Sequence, residues 1–426
     1  MAPGEVMGLG SRFPAASVAR LAAVPWPSLA GIAPSLDGTL GAVLGGAAAE
    51  RALAGALRER PWLSAPERCA VAEAVFGVGL WRRRLAHHAG DGASPRALLT
   101  ALLRDLSDVE GAEAICGLAA GALPRPTPAP TELGAFYSLP EWLAEILGRE
   151  VGEEAPGLAD ALNRPGPVFL RANRGRVGRE ALAERLREEG VSTRPGRLAP
   201  DALEVTSPRP NLLALPSYRQ GLFEVQDEGS QLLGCALQAG PGDRVLDLCA
   251  GAGGKALLLA AAVGERGAVH ACDADGERLG RLARRAQKAG ARLAVDGHSP
   301  PAGLSFDRVL VDAPCSALGP LRRGPDLRFR LEPGAFASLP ALQLEILSRG
   351  AARVRPGGRL VYATCTFRRE ENAEVAEAFE RVHPGWRRVP AMPEKRLVDR
   401  EGFLSLFPHR HGTDGFFAAA WQRVSR

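Results

Sequence analysis

The apolar run Arg244–Cys249 leads directly into Gly251-Ala252-Gly253-Gly254-Lys255, and few folds accommodate such a passage. A buried strand that ends in a glycine cluster and continues as a helix is the opening unit of an open α/β sheet. Regular alternation follows it. Ala268–Asp273 reads as a second strand, with a helix through Lys288, Arg292–Asp296 as a third and Phe306–Asp312 as a fourth. Leu342–Val354 reads as a helix stopped at Pro356-Gly357-Gly358. Arg359–Thr364 is then a fifth strand and Phe416–Val424 a late one. This alternation predicts a Rossmann-like, doubly wound and mostly parallel sheet over residues 216–426. Ligands of such sheets bind beyond the carboxyl ends of the strands.

The rest of the chain has a different texture. Residues 1–123 are rich in Ala, Leu and Arg, with apolar positions such as Leu53, Leu57, Ala70, Ala74, Val78 and Leu85 at helical spacing. They predict an all-helical domain, with one helix over Glu67–Arg84. Residues 124–130, Pro-Arg-Pro-Thr-Pro-Ala-Pro, read as a stiff linker. Residues 131–215 read as a small α+β module. It has a helix starting at Leu139-Pro140-Glu141, a strand over Val168–Asn173 and a helix over Glu180–Glu189. Two further short strands follow, Ala202–Val205 and Leu212–Leu215.

Length and composition bound the rest. A chain of 426 residues suits two or three domains. Mean hydropathy is near zero and the Ala-rich runs are broken by charges, so no membrane span is expected. The first 60 residues show no secretory pattern. Seven cysteines lie without framework spacing and without a CxxC pair, which suits a reducing cytoplasm and argues against a metal site. The formal charge is +5, and Lys255, Lys288 and Lys395 are the only lysines. A GC-rich codon bias favours Arg as much as phosphate binding does, so charge alone selects no partner.

The glycine loop indicates a nucleotide-like cofactor. Gly251, Gly253 and Gly254 allow close backbone approach, and the helix that follows offers free N–H groups. Dinucleotide sites want G-x-G-x-x-G, a spacing this loop lacks. Asp247 before the loop and Asp273 after the next strand fit S-adenosylmethionine better. Asp247 is expected near the aminoacyl end of that methyl donor, Asp273 at its ribose hydroxyls and Asp296 at its adenine amino group. The loop residues Cys249, Ala250, Gly251, Gly253, Gly254 and Lys255 complete the expected cofactor site, with Asp312 at its far side.

Two thiols stand at strand ends of the same sheet: Cys315 in Asp312-Ala313-Pro314-Cys315-Ser316, and Cys365 in Ala363-Thr364-Cys365-Thr366. C5 of a pyrimidine is a poor nucleophile until a thiolate adds at C6 and makes it enamine-like. A methyl donor beside a cysteine nucleophile therefore points to methylation of a pyrimidine carbon. A carboxyl must meet N3 as charge develops there, and Asp312 lies at a suitable strand end. The remaining cysteines, Cys69, Cys116, Cys235, Cys249 and Cys272, are expected to pack rather than react.

These motifs together resemble the RNA 5-methylcytosine methyltransferases of the Sun/RsmB type, over roughly residues 135–426. The resemblance includes Phe223–Leu232, the loop with Lys255, Asp312–Ser316 and Pro325-Asp326-Leu327-Arg328-Phe329. It also includes Leu342-Gln343, Tyr362–Cys365 and Asp414–Phe417. It implies that Cys365 is the nucleophile and that Cys315 assists breakdown of the covalent adduct. It also implies that Asp312 contacts the cytosine and that Lys255 lies at the junction of substrate and cofactor. The helical N-terminal region resembles the NusB-like RNA-binding domain of the bacterial rRNA enzymes. The loop departs from the family's usual Ala-Pro-Gly-Gly-Lys-Thr at Gly251, Ala252 and Ala256. Ser316-Ala317-Leu318-Gly319 replaces the usual Ser-Gly-Thr-Gly.

The expected partner is RNA with an unstacked cytosine, most readily small-subunit (16S) rRNA, with no membrane and no obligate protein partner evident. A tRNA substrate is the alternative within the class, and a non-catalytic RNA-binding assembly factor the alternative outside it. A nicotinamide dehydrogenase is disfavoured by the loop spacing. The arginines Arg322, Arg323, Arg328 and Arg330, beside the second thiol, are expected to touch the RNA backbone.

Overall fold

The computed structural model describes residues 18–424 except 91, 126 and 209. The chain divides into two compact units, 1–165 with 321–333, and 166–320 with 334–426.

The first unit is helical. Its centre is the helix Ala65–Ala89, opened by a Ser64–Glu67 capping box with Pro66 in the first turn, and closed at Gly90. Val71, Ala74, Val75, Val78, Trp81 and Leu85 form one buried face, and Ala70, Glu73, Gly77, Gly79 and Leu80 are buried on the others, so neighbours surround this helix rather than flank it. Asp37–Leu44, Ala49–Glu59 and Pro95–Ala101 pack around it on a core that includes Trp26 and Leu102. The proline-rich stretch is anchored along that scaffold. Arg104 Nη1 donates to Pro124 O at 2.9 Å, and His87 and His88 reach Pro128 O and Thr127 Oγ1.

The segment 321–333 belongs to this helical unit. Arg322 and Arg328 are buried, and Arg328 is fully so. Its guanidinium donates to Asn163 Oδ1 at 2.6 Å and to Leu162 O at 2.9 Å. Asp326 accepts from the Ala49 amide and so caps a helix whose own N-cap, Ala48, has no capping side chain. The Arg82 guanidinium stacks 4.2 Å from the Phe329 ring centroid. The expected RNA-facing arginine cluster is therefore corrected at Arg322 and Arg328. Arg328's fork is consumed by internal acceptors, which is what makes its burial tolerable.

The second unit carries two sheets. In the small one, β1 (Phe169–Ala172), β2 (Thr193–Pro195), β3 (Ala202–Val205) and β4 (Phe223–Val225) take the order β2-β3-β1-β4, all antiparallel. The helix Arg179–Glu188 buries Leu182 and Leu186 in the same core as Leu170 and Phe223. This sheet runs past residue 215, because its edge strand is β4. Leu212–Leu215, expected as a strand, is instead a 3-10 turn over Leu212–Ala214. The flanking Pro210 and Pro216 withhold ladder donors there.

The large sheet has eight strands: β5 (Arg244–Asp247), β6 (Ala268–Ala271), β7 (Ala294–Val295), β8 (Phe306–Asp312), β9 (Val354–Thr364), β10 (Trp386–Val389), β11 (Leu404–Leu406) and β12 (Phe416–Arg423). Their order is β10-β12-β9-β8-β5-β6-β7, with β11 on β12. The five from β9 to β7 are parallel, and β12 returns antiparallel beside β9. The chain winds from β5 towards β7, then restarts on the other side with β8. The switch point thus lies between β5 and β8, and both strands end there in an aspartate.

Candidate active site

The loop after β5 turns through two left-handed glycines, Gly251 (φ 54°) and Gly253 (φ 90°). At Gly253 a Cβ would stand 2.6 Å from Leu282 Cγ, so packing as well as conformation demands glycine. The turn is fixed from the next strand end. Asp273 accepts from the Gly251 amide and from the Asp275 amide, both at 2.8 Å. Beneath it opens a cavity of about 830 Å³, lined by Cys249, Ala250, Gly251, Gly254 and Asp273 at one end. Lys255, Asp312, Cys315 and Cys365 line the other.

Asp247 is buried under the loop, directly before the lining residues Leu248 and Cys249, and neither of its oxygens has a well-formed hydrogen bond. Burial first, and then the neighbouring Asp312 carboxylate, push its pKa up to about 7. Such a group calls for a cationic partner, and the amino and sulfonium groups of S-adenosylmethionine would supply one. The glycine cradle and this orphaned carboxylate fit that donor.

Asp296 behaves differently from expectation. Its Oδ2 lies 2.5 Å from His270 Nδ1, and it does not line the cavity. That part of the wall is made by Asp275, Arg278, His298 and Arg349. Sequence reading missed these four. His298 follows the third strand closely enough to have been noticed. Arg349 sits on the helix Leu339–Ala352, and only folding brings it near.

At the other end, β8 and β9 run side by side, with Asp312 opposite Ala363. This register brings together two cysteines 50 residues apart. Their Sγ atoms lie 3.2 Å apart as free thiols, and the Cys365 amide donates to Cys315 Sγ at 3.3 Å. The close approach of Gly319 to Gly415 makes room for these loops, since a Cβ on Gly319 would fall 2.0 Å from Gly415 O.

The electrostatics separate the two sulfurs. The hydrogen bond from Cys315 lowers the Cys365 pKa against the opposing effect of burial, with help from the Lys255 charge. The same bond, together with burial, pushes Cys315 well above an ordinary thiol. Lys255 Nζ donates to Asp312 Oδ2 at 2.7 Å. Burial taken alone would lower the Lys255 pKa, but the Asp312 charge and hydrogen bond outweigh it and the pKa rises. The site therefore holds one thiol disposed to ionise, one disposed to stay protonated, and an ammonium–carboxylate pair beside them.

The chain is similar to known proteins over most of its length. Residues 234–422 match the family described as "16S rRNA methyltransferase RsmB/F", and residues 139–211 match its ferredoxin-like domain. A "Probable ribosomal RNA small subunit methyltransferase B" of Synechocystis sp. is 35% identical over 300 residues, 67% of each chain. One of Bacillus subtilis is 34% identical over 311 residues, 68% of each chain.

The chain belongs to the RsmB/F family of 16S rRNA methyltransferases.

Among solved structures, the fold of PH0851 covers 94% of this chain and 99% of its own, with a TM-score of 0.74 at 24% identity. A methyltransferase homolog from Pyrococcus horikoshii covers 68% of this chain and 98% of its own, at TM-score 0.59 and 26% identity. The mixed sheet with a parallel centre, the ferredoxin-like module and the helical N-terminal region are the architecture of this RsmB/F chain. Among its described residues, no helix is long and apolar enough to cross a membrane.

Proposed function

We propose that this protein methylates C5 of a cytosine in small-subunit rRNA through a transient bond between Cys365 Sγ and C6. The observation that carries this reading is the thiol pair, 3.2 Å apart and of opposite acidity, beside the Lys255–Asp312 pair.

S-adenosylmethionine is the methyl donor, and when bound it supplies the electrophilic methyl that C5 takes. The loop Cys249–Gly254, Asp247 and Asp273 hold it. Cys365, as thiolate, forms the S–C6 bond and pushes an electron pair towards N3. Lys255 and Asp312 hold a proton between them at 2.7 Å, where that charge develops. Once C5 is methylated, loss of its proton to a base re-forms the C5–C6 double bond. The S–C6 electron pair then returns to Cys365. Cys315, protonated and in contact with Cys365, is placed to assist that release. The target base must leave its stack to expose C6, so an unpaired or locally opened RNA segment is the substrate.

The test is transfer of labelled methyl to unmodified small-subunit rRNA, with tRNA in parallel. Wild type should label rRNA, Cys365→Ala should not, and Cys315→Ala should trap a protein–RNA adduct. Labelling of tRNA alone would move the substrate and keep the chemistry. Wild type that binds no S-adenosylmethionine and labels no RNA would replace the enzyme with an RNA-binding assembly factor.

A further inference from the structure

Glu371 and Asn372 adjoin each other in the chain just after the second thiol, at the start of the helix Ala373–Val382. Both are buried, Glu371 completely. Glu371 Oε2 accepts from the Ser316 amide at 2.9 Å and from Gln343 Nε2 at 3.0 Å. That same Gln343 nitrogen donates to Pro314 O at 3.0 Å. The residues on both sides of Cys315 are thus held by Glu371 and its partner. Arg368 donates to the other Glu371 oxygen at 3.0 Å, which neutralises the buried charge.

Asn372 does the same for the other thiol. Its Oδ1 accepts from Thr364 Oγ1 at 2.6 Å, and its Nδ2 donates to Thr366 O at 3.0 Å. Those are the residues on both sides of Cys365. A last contact, Ser316 Oγ to Thr366 Oγ1 at 2.9 Å, ties the two loops to each other. Glu371 and Asn372 grip neither sulfur directly; each thiol is flanked by two held neighbours.

We infer that the Glu371–Asn372 dipeptide is the positioning frame of the thiol pair, setting the sulfur–sulfur contact that keeps Cys315 against Cys365. Neither residue touches substrate; both act through the cysteines. The inference rests on the proposed two-cysteine chemistry for its consequence in turnover, though not for its geometry.

The two halves of the frame predict different failures. Glu371→Gln puts an amide nitrogen where a carboxylate oxygen now accepts, so it loosens the Cys315 loop. Adduct release should slow about tenfold or more, because misplacement of about 1 Å commonly costs up to about a hundredfold. Asn372→Asp keeps the acceptor for Thr364 and loses the donor to Thr366. It should slow adduct formation instead.

The experiment is alkylation of Cys365 with iodoacetamide as a function of pH, mapped by peptide mass, followed by single-turnover adduct kinetics on rRNA. Both variants should move the alkylation midpoint upward while S-adenosylmethionine binding stays as in wild type. Ser316→Ala, which deletes one hydroxyl and spares the Glu371 acceptor, should move it less in the same direction. It serves if either frame variant fails to fold. Unchanged alkylation profiles in folded variants would overturn the frame. Alkylation needs no RNA, so failure of the frame is distinguishable from failure of the proposed methylation.

Discussion

The Sγ atoms of Cys315 and Cys365 lie 3.2 Å apart, and the Cys365 amide points its hydrogen at the Cys315 sulfur. The sulfur–sulfur contact makes two chemically identical groups unequal. Cys365, accepting from the Cys315 thiol, is stabilised as thiolate, and Cys315 is held protonated by that bond and by burial, which outweigh the amide hydrogen.

Removing the donor should therefore raise the pKa of the acceptor. In Cys315→Ala, the Cys365 thiolate loses its largest stabilising influence, so its alkylation midpoint should move to higher pH. A midpoint equal to the wild-type value would mean that Lys255, and not Cys315, sets the reactivity of Cys365.

Lys255 acts on both Cys365 and Asp312. Lys255→Met removes the ammonium that favours the Cys365 thiolate and leaves Asp312 without its hydrogen bond. Proton handling of this kind is worth about 10²–10⁴-fold in rate. Single-turnover methyl transfer should fall within that range, and retention of most of the wild-type rate would remove Lys255 from the chemistry.

Asp247 makes the ligand-free protein sensitive to pH. Its pKa is raised to about 7, chiefly by burial and then by Asp312, whereas an aspartate in an unfolded chain titrates near about 3.9. The folded protein therefore holds a proton that the unfolded chain releases. Its stabilising contribution is complete below about pH 4 and lost as the pH rises through about 7. Asp247→Asn stays neutral throughout. The melting temperature of the variant should fall less than that of wild type between about pH 5 and pH 8. The variant should also bind S-adenosylmethionine more weakly, since the cation loses its counter-charge. Parallel melting curves for the two proteins across that range would refute the assignment.

Arg328 is structural in this chain. Burial lowers its pKa to about 9, and its bonds to Asn163 and Leu162 occupy both terminal nitrogens inside the protein. Arg328→Ala would empty a buried site and strand Asn163 Oδ1, at a cost of about 1–3 kcal/mol for the unsatisfied acceptor alone. The expected result is a lower melting temperature with an unchanged salt dependence of RNA binding for the protein that remains folded. A shallower salt slope would restore a phosphate contact at this position.

The sequence by itself determined the features that depend on neighbours in the chain. The strand Phe306–Asp312 and the strand Ala202–Val205 fall where apolar runs and their bounding residues put them. The glycine loop, Asp273 at its strand end and the two thiols that the fold brings together were legible because their residue types and short spacings are themselves the signal. Side-chain pairing over long separations was not legible. Asp296 carries the strand-end signature of an adenine acceptor, yet His270 from the adjacent strand engages it. Arg328 looks like a phosphate ligand until Asn163, far back in the chain, takes its fork. Nothing next to Glu371 and Asn372 in the chain announces that they bind Ser316 and Thr364. Periodicity and turn chemistry are local energies, readable a few residues at a time. The partner of a buried polar group is chosen by which strands lie side by side, and that choice belongs to tertiary structure.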